Sequence, residues 1–179
     1  MKAVECIETR RSIRKFKSDA IDHSVIEGLV KTASFSPSWK NTQIARYYAV
    51  EGTLKDDIAA ECTKAYAHNG EIIKEAPMLV VVAFVKNRSG FERDGSYSTA
   101  KEGGWQMFDA GIATQSFCLA AHDAGLGTVI MGIFDDSLVA SKLGLDDTQE
   151  VACLIPIGYP DEEPSAPRRK EVSDLLLFK

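Results

Sequence analysis

The sequence has few residues of the kinds that build metal centres, disulfide frameworks or nucleophile triads. Its 179 residues include only four cysteines and three histidines. The cysteines are far apart and form no Cys-x-x-Cys pair or Cys/His cluster, standing at Cys6, Cys62, Cys118 and Cys153. Neither a metal centre nor a disulfide framework is therefore expected. The histidines lie in unrelated contexts, with no serine, cysteine or aspartate arrangement typical of hydrolases.

Long apolar runs are also absent. The longest, Met78 to Val85, has eight residues, whereas a bilayer-spanning helix needs about 20. The first fifteen residues contain Glu5 and Glu8 and no apolar stretch, so they do not form a secretory signal. The string Thr9–Lys15 is superficially similar to a twin-arginine export signal, but a polar segment follows it. A reducing cytoplasm is the expected location, with no membrane partner.

An excess of positive charge is the third absence. The chain has 26 acidic and 21 basic residues, a formal net charge of −5, so as a whole it repels nucleic acid and anionic lipid. A composition of 45% hydrophobic and 26% charged residues is ordinary for a soluble globular protein. The length suits one domain over 1–179 with a sizeable core, and no repeat or linker is visible.

Helical patterns and short apolar runs alternate along the chain. Helices are predicted at 2–10, from Ser24 to before Pro37, at 54–66, at 105–127 with Gly125 as the residue that ends it, and at 137–143. Residues 24–27 fit a capping box, and Asp22 is the alternative cap. Strands are predicted at 47–50, 78–85, 128–130 and 151–157. The strand at 78–85 is continuously apolar, which indicates burial on both faces. This mixture predicts an α+β fold.

A basic cluster at residues 10–15 stands out in this acidic chain. It contains Arg10, Arg11, Arg14 and Lys15 around Ser12. One interpretation is a solvated helix end whose cations favour the negative pole of the helix dipole. The other is a phosphate clamp, because planar guanidinium groups and a hydroxyl can surround phosphate oxygens. A second basic cluster at 168–170 would suit the same anion if the fold brought the two together.

Residues 36–43 form a second polar constellation, which we call the polar loop. Serine, proline and asparagine form turns, and Pro37 ends the preceding helix, so a plain turn accounts for the pattern. The functional interpretation places Ser38 and Asn41 against the polar edge of a planar ligand, with Trp39 as an aromatic wall. The segment 86–104, which follows the strand candidate at 78–85, reads as a long loop, and loops of that length are uncommon unless functional or mobile.

Taken in order, these segments resemble the nitroreductase family of FMN-dependent oxidoreductases. The resemblance covers nearly the whole chain and rests on six motifs in register. They are the basic motif at 10–16, the Pro-Ser-x-x-Asn-x-Gln pattern within 34–43, and the segments 76–84, 108–132, 151–160 and 167–172. The resemblance implies a central, mostly antiparallel sheet flanked by helices, with chain termini exchanged in a homodimer.

The same resemblance implies which residues bind FMN. The phosphate and ribityl oxygens would be held by Arg10, Arg11, Ser12 and Arg14, with Arg168 and Arg169 approaching from the tail. Pro37, Ser38, Trp39 and Asn41 match the loop that, in this family, reaches the flavin from the other subunit. Met131 and Gly132 match the segment whose backbone lies along the ring, and Asn69 matches a polar residue near the ring edge.

The mechanism implied is ping-pong: NAD(P)H reduces the flavin, leaves, and is replaced by an electron-poor acceptor such as a nitroaromatic or quinone. The flavin carries the chemistry, so no side chain is named as acid or base. Two departures from the family pattern concern substrate preference. Gln43 is followed by Ile44 and Ala45 where Pro and Trp are usual, and Trp39 stands where a small residue is common.

Three alternatives remain open at this point. A flavin reductase or a dehalogenase acting on halogenated phenols would use the same cofactor site. A non-catalytic FMN-binding or storage protein would also retain that site. An FMN-free structural module could use the basic clusters for another phosphate.

The homodimer itself is favoured by a helix rich in small residues at 105–127 and by an apolar "LLLF" at 175–178 that a lone globule would expose.

Overall fold

A four-stranded antiparallel sheet organises the computed structural model, which describes residues 1–179. The strands are β1 (Ala45–Val50), β2 (Met78–Val85), β3 (Gly127–Thr128) and β4 (Gln149–Gly158), in the order β1-β2-β4-β3. Seven α-helices flank the sheet: α1 (Ala3–Thr9), α2 (His23–Ala33), α3 (Gly52–Glu61), α4 (Ala67–Glu75), α5 (Gly104–Asp123), α6 (Asp136–Leu143) and α7 (Val172–Leu175). The predicted α+β fold with a mostly antiparallel central sheet is confirmed.

Strand β2 is buried on both faces, as its apolar sequence predicts. It pairs with β1 on one side and β4 on the other. Alternate side chains of a strand point to opposite faces. Leu79 and Val81 pack in a cluster with α3, α4 and α6, whereas Met78, Val80 and Val82 pack in a cluster with α2 and α5. The two clusters form one helical layer on each side of the sheet.

The helix before the polar loop begins two residues earlier than the capping-box pattern indicates. Its N-cap is Asp22, whose Oδ1 accepts a hydrogen bond from the backbone N–H of Ser24 at 2.8 Å. The capping box at 24–27 is therefore wrong and the alternative cap is confirmed. An aspartate outcompetes the serine because its carboxylate accepts both the backbone N–H and the Ser24 hydroxyl.

The predicted helix at 54–66 is wrong in its extent, because the chain turns twice in this region. Helix α3 ends at Glu61, a 3-10 turn covers Lys64–Tyr66, and α4 follows over Ala67–Glu75. Helix α4 is mostly polar in sequence, but two adjacent apolar residues, Ile72 and Ile73, are buried. At Gly70 a Cβ atom would lie 2.5 Å from the carbonyl oxygen of Ala59, so the two helices approach closely there.

The strand predicted at 128–130 is wrong in its position and extent. Strand β3 is only Gly127–Thr128, and Met131 then pairs with Leu154 of β4 in an isolated bridge.

The segment that follows β2 lacks helix and strand up to α5, as predicted, but it is ordered by its own contacts. Phe91 and Tyr97 form an isolated antiparallel bridge with ring centroids 4.9 Å apart.

The C-terminal tail lies on the surface of the single chain. After β4 it runs without regular structure to the short α7 and then to the apolar end. The exposed fractions are 69% for Leu175, 74% for Leu177 and 91% for Phe178. Val4, Ile7 and Phe35 are also more than half exposed. No helix is long and apolar enough to cross a membrane.

The basic segment at 10–15 is extended and lies beside β3. The N–H of Ile13 donates to the carbonyl oxygen of Thr128 at 3.0 Å, and Ser12 forms a parallel bridge with Thr128. Ile13 is buried against Gly127, where a Cβ atom would lie 2.7 Å from two Ile13 side-chain carbons. Glycine at position 127 is therefore what allows the basic segment to lie against the sheet.

We expect Gly127→Ala to lower the free energy of unfolding by about 1–3 kcal/mol, because overpacking a filled site forces neighbours to move. Urea denaturation followed by circular dichroism measures this. Gly28→Ala is the matched control, since a Cβ at that position of α2 meets nothing within 4 Å. Because alanine favours an exposed helical position over glycine, this variant should raise the free energy of unfolding by about 0.5–1 kcal/mol. Equal midpoints for Gly127→Ala and the unchanged protein would contradict the close contact.

Candidate active site

The arginines of the basic segment form no ion pairs with acidic side chains. The ion pairs of the structure involve none of Arg10, Arg11, Arg14 and Lys15. Arg11 Nη1 donates to the carbonyl oxygens of Glu8 and Arg10, both at 2.8 Å. These bonds occupy part of a guanidinium group that has five donors. Donors and positive charge thus remain free for an anionic ligand.

The basic segment supplies two separate clefts. The arginine cleft, of about 500 Å³, is lined by Arg10, Arg11, His122 and Thr128 among others. The Asn69 cleft, of about 210 Å³, is lined by Arg14, Asn69 and the residues of the segment 129–133, including Met131 and Gly132. The sequence prediction treats the arginines as one clamp. The structure instead directs Arg10 and Arg11 to one cleft and Arg14 to the other.

Four predicted ligand residues from distant parts of the sequence meet in the Asn69 cleft. Asn69 is 8% exposed and its Nδ2 donates to the carbonyl oxygen of Ile133 at 3.0 Å. Met131 is held to β4 by a pair of backbone hydrogen bonds with Leu154. A Cβ atom at Gly132 would meet nothing within 4 Å. The backbone of the segment 129–133 is held by β4 on one side and has open space on the other. This suits a flat ligand lying along it.

The electrostatics of the arginine cleft are mixed. Burial lowers the pKa of His122, and Arg10 and Arg11 lower it further, which favours the neutral imidazole. Its Nε2 is 2.9 Å from the hydroxyl oxygen of Thr9. Three carboxylates, those of Glu5, Glu162 and Glu163, also line the cleft. An incoming phosphate would thus depend on the arginines and on backbone donors rather than on His122.

The C-terminal tail passes close to the arginine cleft, but Arg168 and Arg169 do not line it. Residues 159–161 pair with 15–17, since the N–H of Lys17 donates to Tyr159 and the N–H of Asp161 donates to Lys15. Pro164 and Ala166 line the arginine cleft. Arg168 and Arg169 follow at the surface, and Arg169 Nη1 donates only to the carbonyl oxygen of Pro167, at 3.2 Å. Their contact with an anion stays a prediction.

The polar loop lies apart from both clefts within one chain. Pro37 and Ser38 line a third cleft of about 260 Å³ between α2, β1 and α5, and this cleft shares no lining residue with the other two. Trp39 packs on Trp105, with ring centroids 4.8 Å apart, and its Nε1 is buried without a hydrogen-bond partner. Asn41 is exposed. The structure therefore does not bring these four residues to Arg10 or Arg14 in a single chain.

Sequence reasoning missed one polar residue that contacts the polar loop. Asp109 on α5 is 4% exposed, and its Oδ2 accepts a hydrogen bond from the backbone N–H of Trp39 at 2.9 Å. A signal was present: Asp109 is the one charged residue between Trp105 and Ala121, in a helix rich in apolar and small residues. A lone carboxylate in such a helix is costly to bury unless it is hydrogen-bonded.

Comparison with known proteins identifies relatives over most of the chain. The nitroreductase family model matches residues 7–159. A Bacillus subtilis protein provisionally named NAD(P)H nitroreductase YfhC is 26% identical over 185 residues, which span 95% of this chain and 90% of that protein. Iodotyrosine deiodinase from Daphnia pulex is 26% identical over 193 residues, spanning 94% of this chain and 63% of that enzyme.

A solved structure shares the fold. A provisionally named nitroreductase from Desulfovibrio desulfuricans, crystallised in complex with FMN, superposes with a TM-score of 0.81 at 25% sequence identity, covering 98% of this chain and 95% of that one. The family model spans both the basic segment and the Asn69 cleft. On these grounds the chain belongs to the nitroreductase family and is an oxidoreductase of that family.

Proposed function

We propose that this protein is an FMN-dependent oxidoreductase that uses NAD(P)H to reduce nitroaromatic, quinone or similar electron-poor acceptors by a ping-pong mechanism. The observation that carries the proposal is the Asn69 cleft. There Arg14, Asn69, Met131 and Gly132, which match the family's flavin-contacting positions, line one surface although they come from three distant segments. The Desulfovibrio desulfuricans relative, which was crystallised with FMN, supports the choice of cofactor.

The residues present fit FMN at both ends of the molecule. At the phosphate end, the guanidinium groups of Arg10 and Arg11, which line the arginine cleft, offer charge-assisted hydrogen bonds, which are about twice as strong as neutral ones. At the ring end, the backbone beside Gly132 has open space above it. Asn69 would fix this backbone through its bond to Ile133.

FMN, when bound, supplies the hydride and electron chemistry. This chain's own residues would bind and orient it. The positive charge of Arg14 at the Asn69 cleft would favour negative charge on a ligand there, and the apolar side chains of Val129 and Ile130 would limit access of water on one side. No side chain in the cleft is given the role of a catalytic acid or base.

We further propose that the active unit is a homodimer whose two flavin sites each combine residues of both chains. Three observations support this. The polar loop lies in a cleft separate from those of Arg10 and Arg14. The end of the tail at 175–178 exposes apolar side chains in one chain. Helix α5 also exposes Met107 and Phe108 beside Gly111. Permanent interfaces of this apolar kind commonly bury about 2,000–5,000 Å² in total.

A second candidate activity is the reductive removal of halogen from a halogenated phenol. It is supported by the similarity to the Daphnia pulex deiodinase across 94% of this chain. The same flavin would serve, and the acceptor would differ. Steady-state turnover with a nitrobenzoate, a benzoquinone and iodotyrosine, with iodide release measured for the last, decides between the two activities. A protein that binds FMN but consumes no NAD(P)H with any acceptor would be a binding protein only.

We expect the protein to purify yellow, to consume NAD(P)H with an added acceptor, and to bind FMN at least about 100-fold more tightly than riboflavin. A hydrogen bond to a charged group contributes roughly 1.5–3 kcal/mol, and two such bonds to the phosphate give that ratio. Fluorescence titration of the flavin-free protein with each ligand measures it. Equal affinities would contradict the assignment of the arginines to a phosphate.

We expect Arg14→Ala to lose FMN while Lys15→Ala retains it. Both residues are exposed neighbours in the basic segment, but only Arg14 lines the Asn69 cleft. The ratio of FMN to protein after gel filtration measures the difference, and Lys15→Ala is the matched control for loss of one positive charge. If the two variants keep the same FMN content, the segment is a solvated basic stretch.

We expect activity to return when Arg14→Ala and Asn41→Ala chains are combined in one dimer. If each site uses Arg14 of one chain and the polar loop of its partner, the heterodimer has one doubly defective site and one intact site. Co-expression with two different affinity tags isolates the heterodimer, and its specific activity should approach half that of the unchanged dimer. No recovery would place Arg14 and Asn41 in the same chain's site, and a monomer with full FMN content would refute the shared site.

A further inference from the structure

Asp109 is a buried carboxylate to which the proposed function gives no role. It lies in the second turn of α5 and is 4% exposed. Its Oδ2 accepts two hydrogen bonds, one from the N–H of Trp39 at 2.9 Å and one from the hydroxyl of Ser89 at 2.6 Å. Trp39 belongs to the polar loop, 70 residues away, and Ser89 belongs to the segment that leads into α5, 20 residues away. Neither bond connects Asp109 to the hydrophobic core.

The hydrogen bonds continue from Ser89 back to the polar loop. Ser89 is fully buried, and its Oγ is 2.7 Å from the Oγ1 of Thr42. Since the Ser89 hydroxyl proton is directed to Asp109, the Thr42 hydroxyl must donate to Ser89. The carboxylate therefore holds the polar loop at two points, directly at Trp39 and through Ser89 at Thr42. The same bonds connect the loop to the segment 86–103.

The backbone of the polar loop needs such support. Lys40, Asn41 and Gln43 have φ values of 45°, 55° and 48°, in the left-handed region that residues other than glycine rarely adopt. Conformations of this kind persist only where surrounding contacts impose them. Asp109 holds the loop at Trp39 and Thr42. These two residues lie on either side of Lys40 and Asn41, and Thr42 immediately precedes Gln43.

Aromatic and ionic contacts reinforce the position of the loop. Trp39 packs on Trp105, whose Nε1 donates to the hydroxyl of Thr99 at 2.9 Å. Lys40 Nζ lies 3.1 Å from a carboxylate oxygen of Glu92. The ion pair is exposed and contributes little by itself. Asp109 is the buried member of this set of contacts, so its removal leaves donors unpaired in a dry environment.

We propose that Asp109 is a positioning residue for the flavin site, acting through the polar loop on the partner chain's flavin rather than on its own. The proposal rests on the proposed function, in which Ser38 and Asn41 reach the flavin of the partner. Misplacement of a binding group by about 1 Å can lower a rate about 100-fold. Loss of the carboxylate should therefore weaken flavin binding and acceptor turnover in the site that its loop serves.

The first experiment compares three variants of the intact dimer. Asp109→Ala should raise the dissociation constant of FMN about tenfold to 100-fold, as expected when buried donors lose their acceptor. Asp109→Asn should stay within about threefold of the unchanged protein, because one amide oxygen in the place of Oδ2 can accept both hydrogen bonds. Thr114→Ala is the control for general destabilisation, since Thr114 is 3% exposed on the same helix and its hydroxyl contacts only Cys153.

The outcome of that comparison is decisive in either direction. If Thr114→Ala, at equal loss of thermal stability, loses as much FMN affinity as Asp109→Ala, Asp109 has a structural role only and the proposal is wrong. If Asp109→Asn is as defective as Asp109→Ala, the two hydrogen bonds are not the cause and the proposal is also wrong. A shift in the visible absorption bands of the remaining bound flavin in Asp109→Ala would support the displaced loop.

The second experiment determines which site Asp109 serves. A tagged heterodimer of Asp109→Ala with Arg14→Ala should recover about half of the unchanged activity, because one site then has an intact Arg14 and an intact loop. A heterodimer of Asp109→Ala with Asn41→Ala should recover none, because each site then has one defective loop. A defect that spread through the Asp109→Ala chain would damage both sites of either heterodimer and overturn the proposal.

The combination of Arg14→Ala with Asn41→Ala separates this inference from the proposed function. If that pair recovers activity and the Asp109→Ala pair with Arg14→Ala does not, the shared site stands and the role of Asp109 is wrong. If neither pair recovers activity, the shared site is wrong, and with it the action of Asp109 on the partner's flavin.

Discussion

Burial of one strand on both faces is the constraint on which the rest of the structure depends. Strand β2 carries eight apolar residues, so its two faces must each be covered by helices, and its two edges by β1 and β4. Helix α5 covers one face and α3 with α4 covers the other. The two helical layers bring Asn69 and Asp109 to opposite sides of the sheet, and each contacts a different part of the candidate site.

The second constraint is the close approach at Gly127, which places a basic segment against a sheet edge in an acidic protein. Backbone hydrogen bonds and the burial of Ile13 hold the segment, so its arginines need not make ion pairs to be fixed in place. Stability thus comes from the apolar and backbone groups, and the charged groups remain free. A protein that carries a net charge of −5 can in this way offer a local site for an anion.

The sequence alone predicts the elements whose pattern is local. Strand β2 follows from its continuous apolar run, helix α2 from apolar periodicity and from Pro37, and the long segment after β2 from its polar, glycine- and serine-rich composition. Six motifs in register identify the family. Helix α4 could not be predicted, because two isoleucines among polar residues give too weak a period and its packing depends on Gly70 meeting α3. The capping residue was ambiguous because Asp22 and Ser24 both satisfy N-cap chemistry.

The candidate site was predictable in its members but not in its arrangement. The motifs name Arg10 and Arg14 together, yet the structure puts the two in different clefts. The role of Asp109 was not predicted, because its partners Trp39 and Ser89 are 70 and 20 residues away in sequence. Contacts at such separations depend on tertiary packing, which no local pattern reports.

The left-handed backbone of the polar loop limits how this protein can be redesigned. At Lys40, Asn41 and Gln43, asparagine, aspartate and glycine tolerate the conformation, whereas β-branched residues are excluded by their Cβ substituents. A mutant library that randomises these three codons would consist mostly of chains with a distorted loop. Diversity is better placed at Ala45, a partly buried position of β1 where the backbone imposes no such restriction.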